Sequence, residues 1–285
     1  MESLNTFKGR KMRSSVQLAS HEIAKFEDDG YIIKEKLFNQ HEISNMLEAL
    51  EGDPFIKENM FHRIDKSGQK TQAVQWNNPG GSSYGIGARS ARVVDIIETL
   101  LSGEVYHWQS KVTAKDAEQG GAWEWHQDYG YWYNYGCLYP EMCTVMVAVD
   151  KATSENGCLK VLKGSQKIGR IDHIKDAGGQ INADQERVAW AISRHETVLC
   201  ELEVGDALFF HCNLLHSSGP NLSSARRWAL LYCYNRVTND PFQESHNPCY
   251  RKLDKVFDSE LLKNGVKFAD GSEEFQSTYV KTLAD

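Results

Sequence analysis

The stretch WEWHQDYGYWY, residues 123–133, decides how the chain reads. Aromatic residues of high strand propensity surround His126-Gln127-Asp128. In a β-strand, side chains i and i+2 project to the same face, so His126 and Asp128 are placed to hold one ion while Gln127 points away. The short pattern is weak evidence by itself, because ten histidines at ordinary aspartate frequency give about 0.6 His-x-Asp pairs by chance. Downstream context supplies more. VGDALFFHCNLLHSSGPN, residues 204–221, is an apolar strand followed by turn residues and carries His216. Both imidazoles therefore fall at strand ends. Two imidazoles and a carboxylate give a divalent metal three ligands on one side and leave the opposite positions open, which suits non-haem iron(II).

Around this centre the pattern is one of short alternating runs bounded by turn residues: VYHWQSKVT from Val105, AWEWHQD, MCTVMVAVD, CLKVL, ETVLCELE, ALFFH and RRWALLYCYNRV. Strands at this spacing predict a mainly β fold with helical support, and a double-sheet jelly roll is the variant that holds a metal between its sheets. Upstream, the sequence predicts a helix from Ser20 to Glu27, a strand from Tyr31 to Lys34, and a second helix to about Leu50 opened by Asn39 and Glu42 as a capping box. Residues 53–88 read as Gly-rich loops folding over a site, and SARVVDIIETLL (90–101) as an amphipathic helix. The expected organisation is a mobile tail at 1–19 and one domain at 20–285. Its β core covers about 105–237, with an insertion or lid at about 170–195 around Gly178-Gly179.

Composition excludes several classes. A net charge of −7 and a pI near 5.8 argue against nucleic acid or an anionic membrane surface as the partner. No stretch approaches 18 consecutive apolar residues, so no membrane span is expected. Seven cysteines without a CxxC pair, and an N-terminus lacking the apolar core of a secretory signal, fit a reducing compartment, with the cytoplasm as the default. The segment before Ser20 is basic, and the segment after Asn239 reads as exposed and available for pairing between chains. Oligomeric state is not legible.

Arg227 opens the apolar strand RRWALLYCYN. Alternation puts it on one face with Ala229, Leu231, Cys233 and Asn235, and Arg226 on the other. A guanidinium there can clamp a carboxylate in a two-pronged hydrogen bond, whereas Arg226 reads as a solvent-facing charge. His107 and His211 fall in apolar runs and read as buried, hydrogen-bonded side chains. His211 has the opposite strand alternation to His216. Of the aromatics, Trp123 and Trp125 alternate away from the metal, while Tyr131 and Trp132 lie just past it as candidate substrate contacts. The aromatic cluster can surround a quaternary ammonium or line an apolar slot.

These residues resemble the phytanoyl-CoA dioxygenase family of iron(II)- and 2-oxoglutarate-dependent oxygenases. The resemblance is carried by His126-Gln127-Asp128, ATSENGCLKVLKGSQ (152–166), residues 204–221 and RRW (226–228), and covers roughly residues 20–237. The spacing of QSKV (109–112), WHQD, Trp132 and Arg227 is similar to that of its bacterial ectoine hydroxylase branch. The resemblance implies a cupin-like double-stranded β-helix in which His126, Asp128 and His216 hold Fe(II). Arg227 would hold the distal carboxylate of the co-substrate 2-oxoglutarate, with Gln109 and Thr144 as further co-substrate contacts. Lys163 and Gln166 stand where relatives have proline and histidine, and Met146 where many have an aromatic. Halogenating members lack the carboxylate that Asp128 provides, so oxygen transfer from O2 is implied. The expected activity is hydroxylation of an unactivated C–H bond of a small polar or zwitterionic metabolite, with release of succinate and carbon dioxide. The alternatives are a catalytically silent ligand-binding member and a zinc hydrolase with the same ligands, which Arg227 disfavours.

Overall fold

In the computed structural model, the described residues are 16–175, 180–263 and 265–269. In chain order the elements are α1 (Ser20–Asp29), β1 (Tyr31–Lys34), α2 (Gln40–Gly52), α3 (Pro54–Glu58), β2 (Phe61–Ile64), β3 (Lys70–Trp76), α4 (Ser83–Arg89), α5 (Ala91–Leu100), β4 (Val105–Lys115), β5 (Trp123–His126) and α6 (Tyr129–Trp132). They continue with β6 (Met142–Ala148), β7 (Leu159–Leu162), β8 (His173–Lys175), β9 (Ile181–Ala183), α7 (Gln185–Ile192), β10 (Thr197–Cys200), β11 (Ala207–His211), β12 (His216–Ser218) and β13 (Arg227–Arg236). The strands form a major sheet in the order β1-β11-β6-β13-β4-β3-β2 and a minor sheet in the order β10-β7-β12-β5, with β8 and β9 as a separate pair. Neighbouring strands are antiparallel throughout. This is a jelly roll.

The central strands β6 and β13 show why the roll is closed on both sides. Val145, Val147, Leu230, Tyr232 and Tyr234 project into a core shared with α2, α4 and α5, where Ile43, Met46, Val93 and Ile97 are buried. Met146, Ala148, Ala229 and Leu231, on the alternate positions, pack against Leu159, Val161 and Leu214 from the minor-sheet side. Period-two alternation thus loads both faces of one sheet, and removing this apolar surface from water supplies the main drive for closure. The helical support begins where the capping box lies: Asn39 Oδ1 accepts from the Glu42 N–H at 3.0 Å, and Glu42 Oε2 accepts from the Asn39 N–H at 2.9 Å.

Residues 53–88 differ from the expected loops. They contain α3, β2, β3 and α4, and β3 pairs with β4 along Gln72↔Ala114 to Trp76↔Ser110. The apolar signal is muted because the polar side chains of β3 have partners in the fold: Gln72 donates to Asp116 and Gln75 to Gln109. The stretch at 170–195, expected as an insertion or lid, carries secondary structure among its described residues. It holds β8, β9 and α7, whose Ala183, Val188 and Ala191 pack with Ile171, Leu162 and Leu215 against Trp125. Gly178-Gly179 lie outside the described residues, as does most of the tail expected at 1–19. After Asn239 the described chain, much of it exposed as expected, returns to the helices. Val256 O accepts from the Ala91 N–H, Leu261 O from Asn45, and the Ala269 N–H donates to Asp53. Among the described residues no helix is long and apolar enough to cross a membrane.

Candidate metal centre and co-substrate cavity

His216, at the start of β12, lies directly across from His126, the last residue of β5. Their ring centroids are 4.1 Å apart. Asp128 sits beyond the strand, with φ −58° and ψ −40°, at the entry to α6. It joins the histidines because the chain turns into a helix, not through strand alternation. The ligand atoms of the three residues lie within 4.8 Å of one another, and all three side chains are buried. Gln127 does point away, but into the interior. It donates to Gly169 O and Asn213 O and accepts from the Ile171 N–H, pinning the 169–171 turn beneath the site.

Each imidazole has a fixed tautomer. His126 Nδ1 faces Glu124 O at 2.7 Å and His216 Nδ1 faces Leu214 O at 2.9 Å. A carbonyl only accepts, so Nδ1 carries the proton and Nε2 is left as a lone-pair donor turned toward the cluster. Burial and the proximity of His216 push His126 well below its ordinary value, and burial lowers His216 as well. Burial would raise the Asp128 carboxyl, but His216, Lys111, His126 and the Tyr131 hydroxyl outweigh it and hold the group low. Two neutral imidazoles and a carboxylate are the protonation states a divalent metal requires. Both carboxylate oxygens are held: Tyr131 Oη donates to Oδ1, and Thr144 Oγ1 donates to Oδ2 at 2.9 Å. Tyr131, expected at the substrate, and Thr144, expected at the co-substrate, therefore both touch the ligand itself.

Deeper between the sheets, Arg227 is 3% exposed. Its Nη2 donates to Gly157 O at 3.0 Å and its Nη1 reaches Thr113 Oγ1 at 3.4 Å, while Nε is buried without a partner. Gly157 has φ +78°, and a Cβ there would meet Gly219 O at 2.4 Å, so glycine alone lets these strands close over the guanidinium. Lys115 pairs with Arg227 across the β4–β13 ladder and is fully buried. Its Nζ donates to Ser218 Oγ at 2.8 Å and to Gly219 O. Burial, followed by the neighbouring Arg227 charge, pushes Lys115 well below the usual lysine range, and burial lowers Arg227 to about 10. Two buried cations side by side, with no ion pair to either among the described residues and one N–H orphaned, form a cradle for an anion. Their donors are the kind that a carboxylate requires. Arg226 behaves as the surface charge it was read to be, paired with Glu51 and Asp150.

A cavity that reaches the cluster at His126 is walled by Phe61, Arg63, Gln75, Gln109, Lys111, Trp123, Tyr131, Trp132, Tyr135, Gln180 and Ile181. Gln109 accepts from Gln75 Nε2 at 2.7 Å and lies on this wall. Trp132 is buried but reaches the cavity from its core with Tyr106 and Trp108. Trp123 is a correction. It does not pack away from the metal, because the β5–β12 register slips by one residue between His216↔His126 and Ser218↔Trp123. That bulge returns Trp123 to the face of His126, with ring centroids 6.4 Å apart.

Three further residues carry the site without having been singled out from the sequence. Lys111 and Lys115 share the alternation of Gln109 in β4, a signal that was present in the sequence. His173 accepts from the Gln127 N–H at 2.9 Å and stands so close to Gly130 that a Cβ there would fall 2.1 Å from its ring; nothing local marks it. His107 bonds Ser110 Oγ and Asn77 O, and His211 accepts from the Asn213 N–H, so both stand apart from the metal cluster. The alternation argument for His211 fails, however, since it and His216 belong to different strands.

A jelly roll with a buried His/Asp/His cluster at the rim of its minor sheet, and an arginine between the sheets, defines an iron(II)- and 2-oxoglutarate-dependent dioxygenase. Residues 26–229 match the family model described as Phytanoyl-CoA dioxygenase (PhyH), and the chain belongs to that family. It is 34% identical over 168 residues to L-proline trans-4-hydroxylase of Streptomyces griseoviridis, a match covering 54% of this chain and 63% of that protein. It is 27% identical over 243 residues to the ectoine dioxygenase of Sphingopyxis alaskensis, covering 78% of this chain and 77% of the relative. The crystal structure of EctD from S. alaskensis with bound Fe superposes with a TM-score of 0.69 at 22% identity, over 87% of this chain and 90% of that one.

Proposed function

We propose that the protein hydroxylates an unactivated C–H bond of a small polar or zwitterionic metabolite. One 2-oxoglutarate and one dioxygen are consumed, and succinate and carbon dioxide are released. The observation that carries this reading is the buried His126, Asp128 and His216 cluster, whose Nε2 atoms are left free by backbone carbonyls, in a fold that also buries the cation pair Lys115 and Arg227 on β4 and β13. His126, Asp128 and His216 would hold the iron, and Arg227 with Lys115 the distal carboxylate of 2-oxoglutarate. When bound, the metal and keto acid supply the oxidising chemistry.

The chain itself supplies order. The Glu124 and Leu214 carbonyls keep the Nδ1 protons in place, and Tyr131 and Thr144 fix the direction of the Asp128 carboxylate. Trp123, Tyr131, Trp132 and Tyr135 give the cavity an aromatic wall. The similar proteins are named for L-proline and for ectoine, both small molecules. We place the protein in the cytoplasm, as a reading of its free cysteines.

Protein loaded anaerobically with iron(II) and 2-oxoglutarate, then given oxygen and a panel of amino acids and cyclic zwitterions, tests the reading. The expected result is succinate formed in proportion to a hydroxylated product. Binding of 2-oxoglutarate with no product from any compound would favour a silent ligand-binding protein, and absence of 2-oxoglutarate binding would remove the reading altogether.

A further inference from the structure

We infer that Lys111 selects the substrate by taking an anionic group, a carboxylate, of the molecule bound over the metal ligands. This rests on the proposed hydroxylase site and names the chemistry of its substrate. Among the described residues that wall the cavity, besides His126, there are two basic side chains, Lys111 and Arg63, and no carboxylate. Lys111 lies in β4 two residues from Gln109, and its Nζ stands 5.6 Å from the centroid of the Trp123 ring. That ring in turn lies 6.4 Å from His126. The ammonium is thus held near the metal ligands by an indole face; its charge helps to hold Asp128 low, but no carboxylate among the described residues forms an ion pair with it.

Charge balance points the same way. Iron(II), Lys111 and Arg227 bring four positive charges against three negative charges from Asp128 and 2-oxoglutarate, with Lys115 left out of the count because burial and Arg227 push it well below the usual lysine range. In a cavity of low dielectric that surplus favours an anion, and it disfavours a quaternary ammonium, which would meet Lys111 at the same indole. The aromatic cluster is therefore a wall for a carboxylate-bearing molecule and not a cage for a cation. Arg63, whose guanidinium stacks over Phe61 at 4.8 Å, belongs to the same wall.

The test uses pairs of compounds, each a small carboxylic acid and its primary amide, with L-proline and L-prolinamide as the first pair. Binding to the anaerobic protein loaded with iron(II) and 2-oxoglutarate is measured by calorimetry, and turnover is measured separately as succinate. A charge-assisted contact in a partly buried site is worth about tenfold to a hundredfold in affinity. Wild-type protein should bind at least one acid tenfold or more tighter than its amide. Lys111→Met should reduce that ratio to less than about threefold, and Lys111→Arg should restore most of it. Equal binding of acids and amides by the wild type, no binding of any acid, or a ratio that survives in Lys111→Met would each overturn the inference. An acid preference that depends on Lys111, without succinate formation, would uphold the inference and count against the hydroxylase reading alone.

Discussion

Arg227→Met separates a co-substrate role from a structural one. The guanidinium is buried, next to a second buried cation, and makes one good hydrogen bond, to Gly157 O at 3.0 Å, and one long contact, to Thr113 Oγ1 at 3.4 Å. Losing those bonds costs about 1–2 kcal/mol. Removing a buried charge that repels Lys115 offsets a similar amount, so the co-substrate-free variant should lie within about 1 kcal/mol of wild type. Its effect on 2-oxoglutarate should be far larger. Deleting one partner of a buried, hydrogen-bonded charge pair costs about 2–5 kcal/mol, and the lower half of that range still weakens binding about a hundredfold. Thermal unfolding with and without 2-oxoglutarate, under anaerobic conditions with metal present, reads both quantities. At a concentration a hundred times the wild-type Kd, the ligand stabilises wild type by about 2.7 kcal/mol and the variant by about 0.4 kcal/mol. For a chain of this size these correspond to shifts of about 5–10 °C and about 1 °C. A variant that keeps the wild-type shift would refute the cradle. One that has lost more than about 3 kcal/mol without ligand would show that Arg227 is a structural residue.

Tyr131→Phe removes the donor to Asp128 Oδ1 but keeps the ring beside His126; metal affinity measured with Mn(II) should fall about 10- to 100-fold, and an unchanged affinity would return Tyr131 to a purely substrate-facing role. Lys115→Met should stabilise the co-substrate-free protein, with a sign set by linkage. The folded-state pKa lies below the unfolded value near 10.4, so the unfolded chain binds the extra proton and the native lysine is a penalty that fades as pH rises. Urea denaturation should therefore show the variant's advantage largest near pH 7 and vanishing toward about pH 10; an advantage that grows with pH would contradict the assignment. His107 and His211, both pushed down to about 4 by burial, bind protons more weakly when folded, so stability should fall as pH drops below 6.5, by about 2 kcal/mol for each at pH 5. A flat stability profile from pH 7 to 5 would count against both.

Much of the architecture was legible because it rests on alternation. The faces of β13 were readable from RRWALLYCYN, and the capping box at Asn39 and Glu42 from four residues, since both signals are local. The metal cluster was legible for a partly wrong reason. His126 and Asp128 converge because β5 ends and α6 begins between them, a change of backbone that a two-residue spacing does not distinguish from an extended strand. Trp123 was misassigned by the same assumption, because a bulge depends on the register of a partner strand 90 residues away. The β2–β3 hairpin was hidden by its polar side chains, which are satisfied by Asp116 and Gln109 from β4 and its end. Lys115 was overlooked although it shares the alternation of Gln109: a lysine in a strand usually marks solvent, and only the three-dimensional pairing with Arg227 reveals two buried cations.

Equilibrium dialysis bears most directly on the central claim, that three side chains and a cationic cradle form one iron and keto-acid site. Wild-type protein dialysed anaerobically against iron(II) and 2-oxoglutarate should retain one of each per chain, and His216→Ala should lose the metal and, with it, most of the keto acid. Retention of stoichiometric iron by His216→Ala, or wild-type protein that retains neither, would contradict the account.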